Sequence, residues 1–204
     1  TVQLYPYVPS PYRHAVRQLP CREFFCAGQR RAIFSSIAVS LPPRTGRLER
    51  HESATMHDMD RQQLLDNITK LLERVRACSQ KSQFQNSDIL VLAVSKTRPA
   101  EVVRAAYECG LSHFGENYLQ EGLGKIAALR DLPLTWHFIG PIQSNKTRDI
   151  AAHFDWVHSV DREKIARRLN DQRPTELPPL QVCLQVNISG EASKSGVPPA
   201  QLPA

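Results

Sequence analysis

The stretch Ile89-Leu90-Val91-Leu92-Ala93-Val94-Ser95-Lys96-Thr97 decides the fold. Six apolar residues follow one another without polar alternation, as expected of a strand buried on both faces of a parallel sheet. A polar triplet then closes the run. Pro99 stands at a helix N-terminus, Val102, Val103, Ala105 and Ala106 supply an apolar stripe, and Gly110 is placed to cap the helix. One buried strand, a polar strand end and a following helix make up a βα unit.

The unit has neighbours on both sides. Upstream, Leu64, Leu65, Ile68, Leu71, Leu72 and Val75 recur at spacings of three and four from Asp60 onward, which predicts one helix face. Downstream, a short strand at His113-Phe114-Gly115 precedes a helix over 118–130. A strand over 135–139 ends at Gly140-Pro141 and leads to a helix over 145–152. A further strand over 156–160 precedes a helix over 162–169. Pro174, Pro178 and Pro179 mark a loop before a fifth strand over 180–188, and a Pro- and Ala-rich tail runs to Ala204. Strand–helix alternation at roughly 20–35 residues per unit is the pattern of a parallel α/β fold.

Composition narrows the class. With 41% hydrophobic and 23% charged residues the chain reads as a globular protein, and no apolar run of membrane-spanning length occurs. The net charge of +6 is unevenly spread: residues 1–55 hold eight Arg against three Glu, a net +5, whereas the remainder holds 18 Lys and Arg against 17 Asp and Glu, a net +1. The basic balance therefore belongs to a Pro-rich leader without hydrophobic period, expected to be disordered, and says little about the partners of residues 56–204. Arg30-Arg31 before the short apolar run of residues 33–41 has the outline of a twin-arginine export signal. It lies far into the chain and lacks a clear cleavage site, so a non-native or disordered leader is preferred, with Met56 a candidate start of the functional domain. Without aromatic residues interleaved among basic ones, no nucleic-acid partner is expected, and no membrane partner either. The five cysteines have neither C-x-x-C nor His-rich ligand spacing, which fits reduced thiols in the cytoplasm better than a metal site or a disulfide framework.

In parallel βα folds ligands gather at the carboxyl ends of the strands. Here those ends read Ser95-Lys96-Thr97, then Gly115-Glu116-Asn117, then the strand carrying His137 with Gly140 to Lys146, then His158-Ser159, then Asn187-Ile188-Ser189. A lysine emerging after six buried apolar residues is open to desolvation, which favours the neutral amine that attacks aldehydes. A lysine that merely extends into solvent from a strand end is the competing reading.

Several blocks in register carry more than any single residue. Ala93-Val94-Ser95-Lys96-Thr97, Phe114-Gly115-Glu116-Asn117-Tyr118, Trp136-His137-Phe138-Ile139-Gly140, Gln143-Ser144-Asn145-Lys146, Phe154-Asp155-Trp156, Asn187-Ile188-Ser189 and Ser193-Lys194-Ser195-Gly196 together closely resemble the pyridoxal phosphate homeostasis protein family, over residues 60–196. The resemblance implies an α/β fold, the (β/α)8 TIM-type barrel of the alanine racemase N-terminal-domain type, with about five of its strands present. It also implies pyridoxal 5'-phosphate held as a Schiff base on Lys96, with Asn117 lining the cofactor pocket. His137 and Asn187 join the candidate cofactor-binding residues, although packing explains His137 equally well. Glu116 reads as a surface or supporting carboxylate, and Lys146 and Lys194 as secondary lysines. A monomeric, non-catalytic carrier in the cytoplasm, serving pyridoxal-phosphate-dependent apoenzymes, is the function implied.

The chain departs from the family after the fifth strand. The family's phosphate-binding elements, a Gly-Met-Ser type turn and a Gly-rich helix N-terminus, do not occur before Ala204, so weak cofactor binding by this chain alone is expected. An unpaired sheet edge and an exposed apolar interior are expected for the same reason. A pyridoxal-phosphate-dependent racemase or other Schiff-base enzyme, and a non-functional fragment, remain alternatives.

Overall fold

A 23-residue helix, α1 (Asp58–Gln80), opens the main body, and five strands follow: β3 (Ile89–Val94), β4 (His113–Glu116), β5 (Thr135–Phe138), β6 (Trp156–Val160) and β7 (Gln181–Leu184). Between them lie α2 (Ala100–Glu108), α3 (Leu119–Ala128), α4 (Thr147–His153) and α5 (Glu163–Gln172). The computed structural model describes residues 2–6, 36–37, 58–80 and 89–202. β3 to β7 are parallel neighbours in sequence order, the arrangement that successive right-handed βα units produce.

All the helices pack on one face. Ile68 from α1, Val103 and Ala106 from α2, Leu119 from α3, Ile150 and Ala151 from α4, and Ile165 and Leu169 from α5 join Phe114, Trp136, Phe138 and Val157 in one core. Burying each of the larger side chains contributes about 1.5–3 kcal/mol. β3 is covered less evenly than expected: Leu92 alone in that strand is fully buried, and its other five residues are partly covered. On α1 the predicted stripe holds at Ile68 and Leu71, while Leu65, at the edge of that stripe, is exposed.

The turn after α2 follows its sequence signal. Gly110 adopts φ +93°, its N–H bonds to the Tyr107 carbonyl at 2.8 Å, and the Leu111 N–H reaches back to Ala106 at 3.2 Å. This is the paired bonding of a Schellman cap. α4 is closed differently: the Arg173 guanidinium donates to the carbonyls of Ala151 and Phe154, and to Pro178 in the following loop.

Two parts differ from the sequence reading. Within the leader, β1 (Val2–Pro6) pairs antiparallel with β3, and β2 (Ser36–Ile37) pairs with β1. The outer edge of β3 offers unpaired backbone groups that β1 satisfies; the rest of the expected leader lies outside the described residues. The fifth strand is also shorter than expected. It stops at Leu184, and after a single bridge between Val186 and Val197 the chain turns into a loop. Val182 and Leu184 are each 44% exposed, on a face that helices cover beside the preceding strands.

Candidate functional site at the strand ends

Alternation along the strands divides the site. On β3, Val91 and Ala93 pack on the helical core, and Ser95 touches residues on that same side. Leu90, Leu92 and Val94 therefore face the other side, the barrel interior, and Lys96 follows two residues past the strand end. His113, Gly115 and Asn117 share that side through β4, and His137 and Ile139 through β5: a Cβ on Gly115 would meet Ile139 Cδ1 at 3.0 Å.

Lys96 is exposed and occupies the corner of a tight turn. The Arg98 N–H bonds to the Ser95 carbonyl at 3.0 Å, closing four residues, and Thr97 in the third position has φ +62°. Left-handed backbone at that position is what a type II turn requires, and a β-branched residue adopts it only at a cost. The burial that the sequence reading looked for around the Lys96 amine is not provided by the described residues, because the turn lifts the residue clear of β3.

Behind the turn lies a buried charged network. Lys125 Nζ donates to the Ser95 carbonyl, to Glu116 Oε1 and to Glu121 Oε1, each at 2.7 Å. Ser95 Oγ donates to Glu116 Oε1, and the Thr97 N–H donates to Glu121 Oε1, both at 2.5 Å. Glu116 has no exposed surface, so of its two readings the supporting carboxylate holds and the surface one does not; it points from the end of β4 into the β3–α3 junction. Burial pushes its carboxyl above the usual range, against the pull of Lys125 and Ser95. Gly122 makes the junction possible, since a Cβ there would lie 2.9 Å from Phe154 Cζ and 3.4 Å from Glu116 Cβ.

Asn117 sits where the β4 and β5 ends meet. Gly140 is packed so closely that a Cβ would fall 2.1 Å from the Asn117 carbonyl oxygen. Among the described residues the Asn117 side-chain oxygen is buried without a hydrogen-bond partner, a costly state that a donor from a ligand would relieve.

His137 is placed inside the sheet, 1% exposed, with both ring nitrogens engaged. His113 Nδ1 lies 3.0 Å from His137 Nε2, and His137 Nδ1 lies 2.9 Å from His158 Nε2, forming a ladder across β4, β5 and β6. Trp156 stacks on the His137 ring at 5.6 Å. Burial, with the charges of His158 and His113 against it, lowers His137 to about 2, and burial lowers His158 to about 4. His113 is lowered by burial too. The imidazoles are therefore neutral at ordinary pH, and His137 is a packed rung with no ring nitrogen to spare.

Asn187 is committed to its own loop. Its amide donates to the Glu191 and Lys194 carbonyls, and its oxygen accepts from the Gly190 N–H at 3.0 Å. It shapes the segment that presents the exposed Lys194. Lys146 ends a 3-10 turn, Ser144–Lys146, which Thr147 and Arg168 fasten through the Ser144 carbonyl. Among the described residues no group of three His, Cys, Asp or Glu side chains could hold a metal ion.

Sequence reading missed Lys125, Glu121, His113 and Trp156. A signal existed for Lys125: it falls in step with Leu119 and Gly122 on the buried side of α3, where an unpaired lysine is not tolerated.

Fold and site together define a parallel βα-barrel chain that offers a lysine amine at the end of a strand, with neutral imidazoles farther along the sheet. Comparison with known proteins agrees. A family model described as the alanine racemase N-terminal domain matches residues 60–204, and the chain belongs to that family. The pyridoxal phosphate homeostasis protein of Pseudomonas aeruginosa is 64% identical over 141 residues, covering 69% of this chain and 61% of the relative. Its counterpart in Escherichia coli K12 is 50% identical over 139 residues, 67% of this chain and 59% of that protein. The structure of PipY from Synechococcus elongatus with pyridoxal phosphate bound is 47% identical, with a TM-score of 0.51 over 62% of this chain and 58% of that one. The chain thus spans about three fifths of the length of the curated relatives it matches. No helix among the described residues is long and apolar enough to cross a membrane.

Proposed function

We propose that this chain carries the amine-bearing part of a pyridoxal phosphate carrier, with Lys96 as the point of covalent attachment. The observation that carries this reading is the exposed placement of Lys96 at the corner of a tight turn just past the carboxyl end of β3. The names of the homeostasis relatives and the ligand in PipY supply the cofactor.

The strand-end residues fit the aldehyde and ring of that group. Pyridoxal phosphate supplies an aldehyde, to which a neutral primary amine adds with loss of one water. Lys96 is accessible for that addition. Asn117, whose buried oxygen lacks a donor, suits a ligand bearing a phenolic O–H or a protonated ring nitrogen. His137 supports the interior wall through its ladder, and Asn187 acts through the loop it organises. The role is storage and delivery without turnover, by a monomer in the cytoplasm, with pyridoxal-phosphate-dependent apoenzymes as recipients.

Borohydride reduction in the presence of pyridoxal phosphate, followed by peptide mapping, tests the attachment. Lys96 is expected to take the label ahead of exposed lysines such as Lys70, and Lys96→Ala to remove it. Equal labelling of Lys96 and Lys70 refutes the reading. Racemisation of free amino acids at enzyme-like rates would refute the non-catalytic role.

A further inference from the structure

We propose that Lys125, held by Glu116 and Glu121, is the positioning group for the Lys96 amine. The proposal rests on Lys96 being the point of attachment, and extends it to the residues that decide where that amine stands.

Ser95 and Thr97, on either side of Lys96, are both held from the helix side. The Ser95 carbonyl accepts from Lys125 Nζ as well as from the Arg98 N–H, and the Ser95 hydroxyl donates to Glu116. The Thr97 N–H donates to Glu121 Oε1, the same oxygen that accepts from Lys125. Lys125 spends all three of its donors here, and is buried at 6% side-chain exposure. Its charge is not a surface accessory to α3.

The bonds have a directional consequence. Thr97 is in the left-handed region, which a threonine leaves when nothing retains it. Glu121 retains it by taking the Thr97 N–H. If Thr97 relaxed, the turn would open and Lys96 would leave the corner position at which the turn presents it. The network therefore fixes the direction of a side chain that none of its members touches, which is how buried, fully bonded polar groups specify geometry. Holding an amine near its productive direction speeds its addition to a carbonyl carbon.

The test compares Glu121→Ala, which removes the acceptor, with Glu121→Gln, which keeps a side-chain oxygen for the Thr97 N–H. Glu121 is 28% exposed, so both variants are suited to folding, and circular dichroism checks that they do. The readout is the rate at which the full chain takes borohydride-trapped pyridoxal phosphate at Lys96, measured by peptide mapping against Lys70 in the same molecules. Glu121→Ala is expected to slow Lys96 relative to Lys70 on the order of tenfold, and Glu121→Gln to restore most of the rate. Lys125→Met, paired with Glu116→Gln to avoid a stranded buried charge, is expected to slow Lys96 similarly. If a folded Glu121→Ala protein keeps the wild-type ratio, or if Glu121→Gln is as impaired as Glu121→Ala, the positioning role is refuted while Lys96 remains the attachment point. If the wild type itself labels Lys96 no faster than Lys70, the carrier reading fails and the positioning role with it.

Discussion

Acidification from pH 7.5 to pH 5 should weaken folding by about 4 kcal/mol, through the histidine ladder. His137 and His158 have their folded-state pKa values lowered to about 2 and about 4, from an ordinary 6.5. Between those values and 6.5 the unfolded chain binds protons that the folded one refuses, so stability rises with pH across that window and is lost as pH falls. Each such histidine contributes about 1.4 kcal/mol per pH unit, and two of them over about 1.5 units below 6.5 give the figure stated. Against a typical total of about 5–15 kcal/mol this is a large fraction. Below pH 4 the share from His158 levels off as it begins to titrate in the folded state, while His137 continues. Glu116 works in the opposite sense: its raised carboxyl holds a proton in the folded state at pH values where the unfolded chain has released it, and so subtracts from the loss. Urea unfolding at a series of pH values, followed by tryptophan fluorescence from Trp136 and Trp156, measures the net slope. His137→Gln, which cannot titrate, should remove about 1.4 kcal/mol per pH unit of it. A wild-type stability that stays flat from pH 7.5 to 5, or a His137→Gln protein with the full slope, would refute the reasoning.

Two glycine substitutions extend the predictions. Gly140→Ala puts a methyl group 2.1 Å from the Asn117 carbonyl oxygen; backbone must move, and a loss of about 3 kcal/mol or more is expected in urea unfolding. Gly110→Ala meets no neighbouring atom, but its φ of +93° should cost about 1–2 kcal/mol, with no effect on Lys96 labelling.

The division of the chain into βα units was legible because each strand is a short apolar run closed by polar residues and followed by a helix signal. β3 was read to the residue, and Gly110 ended α2 as its conformational freedom requires. The family and barrel type were legible from contiguous blocks such as Phe114-Gly115-Glu116-Asn117-Tyr118. What sequence could not show depends on contacts between elements. Glu121 and Lys125 are four apart on α3 and look like an exposed helical pair, yet the Lys125 end of that pair is buried under β3. His113, His137 and His158 lie more than 20 residues apart in succession, and only the stagger of parallel strands brings their rings into line. The fifth strand was overextended because Val186, Asn187 and Ile188 have strand-like chemistry, while the bonds that turn the chain come from the Asn187 amide to residues later in the loop.

The contiguity of those blocks has a physical origin in strand alternation. Ser95 and Lys96 are neighbours in sequence but differ in setting: Ser95 binds the charged network under α3, and Lys96 is exposed at the turn. Glu116 and Asn117 repeat the division at the end of β4, where Glu116 receives Lys125 and Asn117 leaves its oxygen buried on the other side. A residue that holds the strand end in place is thus followed directly by one available to a ligand. A one-residue slip in the pairing of β3 with β4 would exchange those roles, burying the amine against α3 and turning the serine inward. The Ser95 N–H bond to the Gly115 carbonyl and the Ser95 hydroxyl bond to Glu116 hold β3 against such a slip, and the close fit of Gly140 against the Asn117 backbone fixes β4 on β5 in the same way. Register, the buried network and the accessible lysine are therefore consequences of the same few strand-end residues.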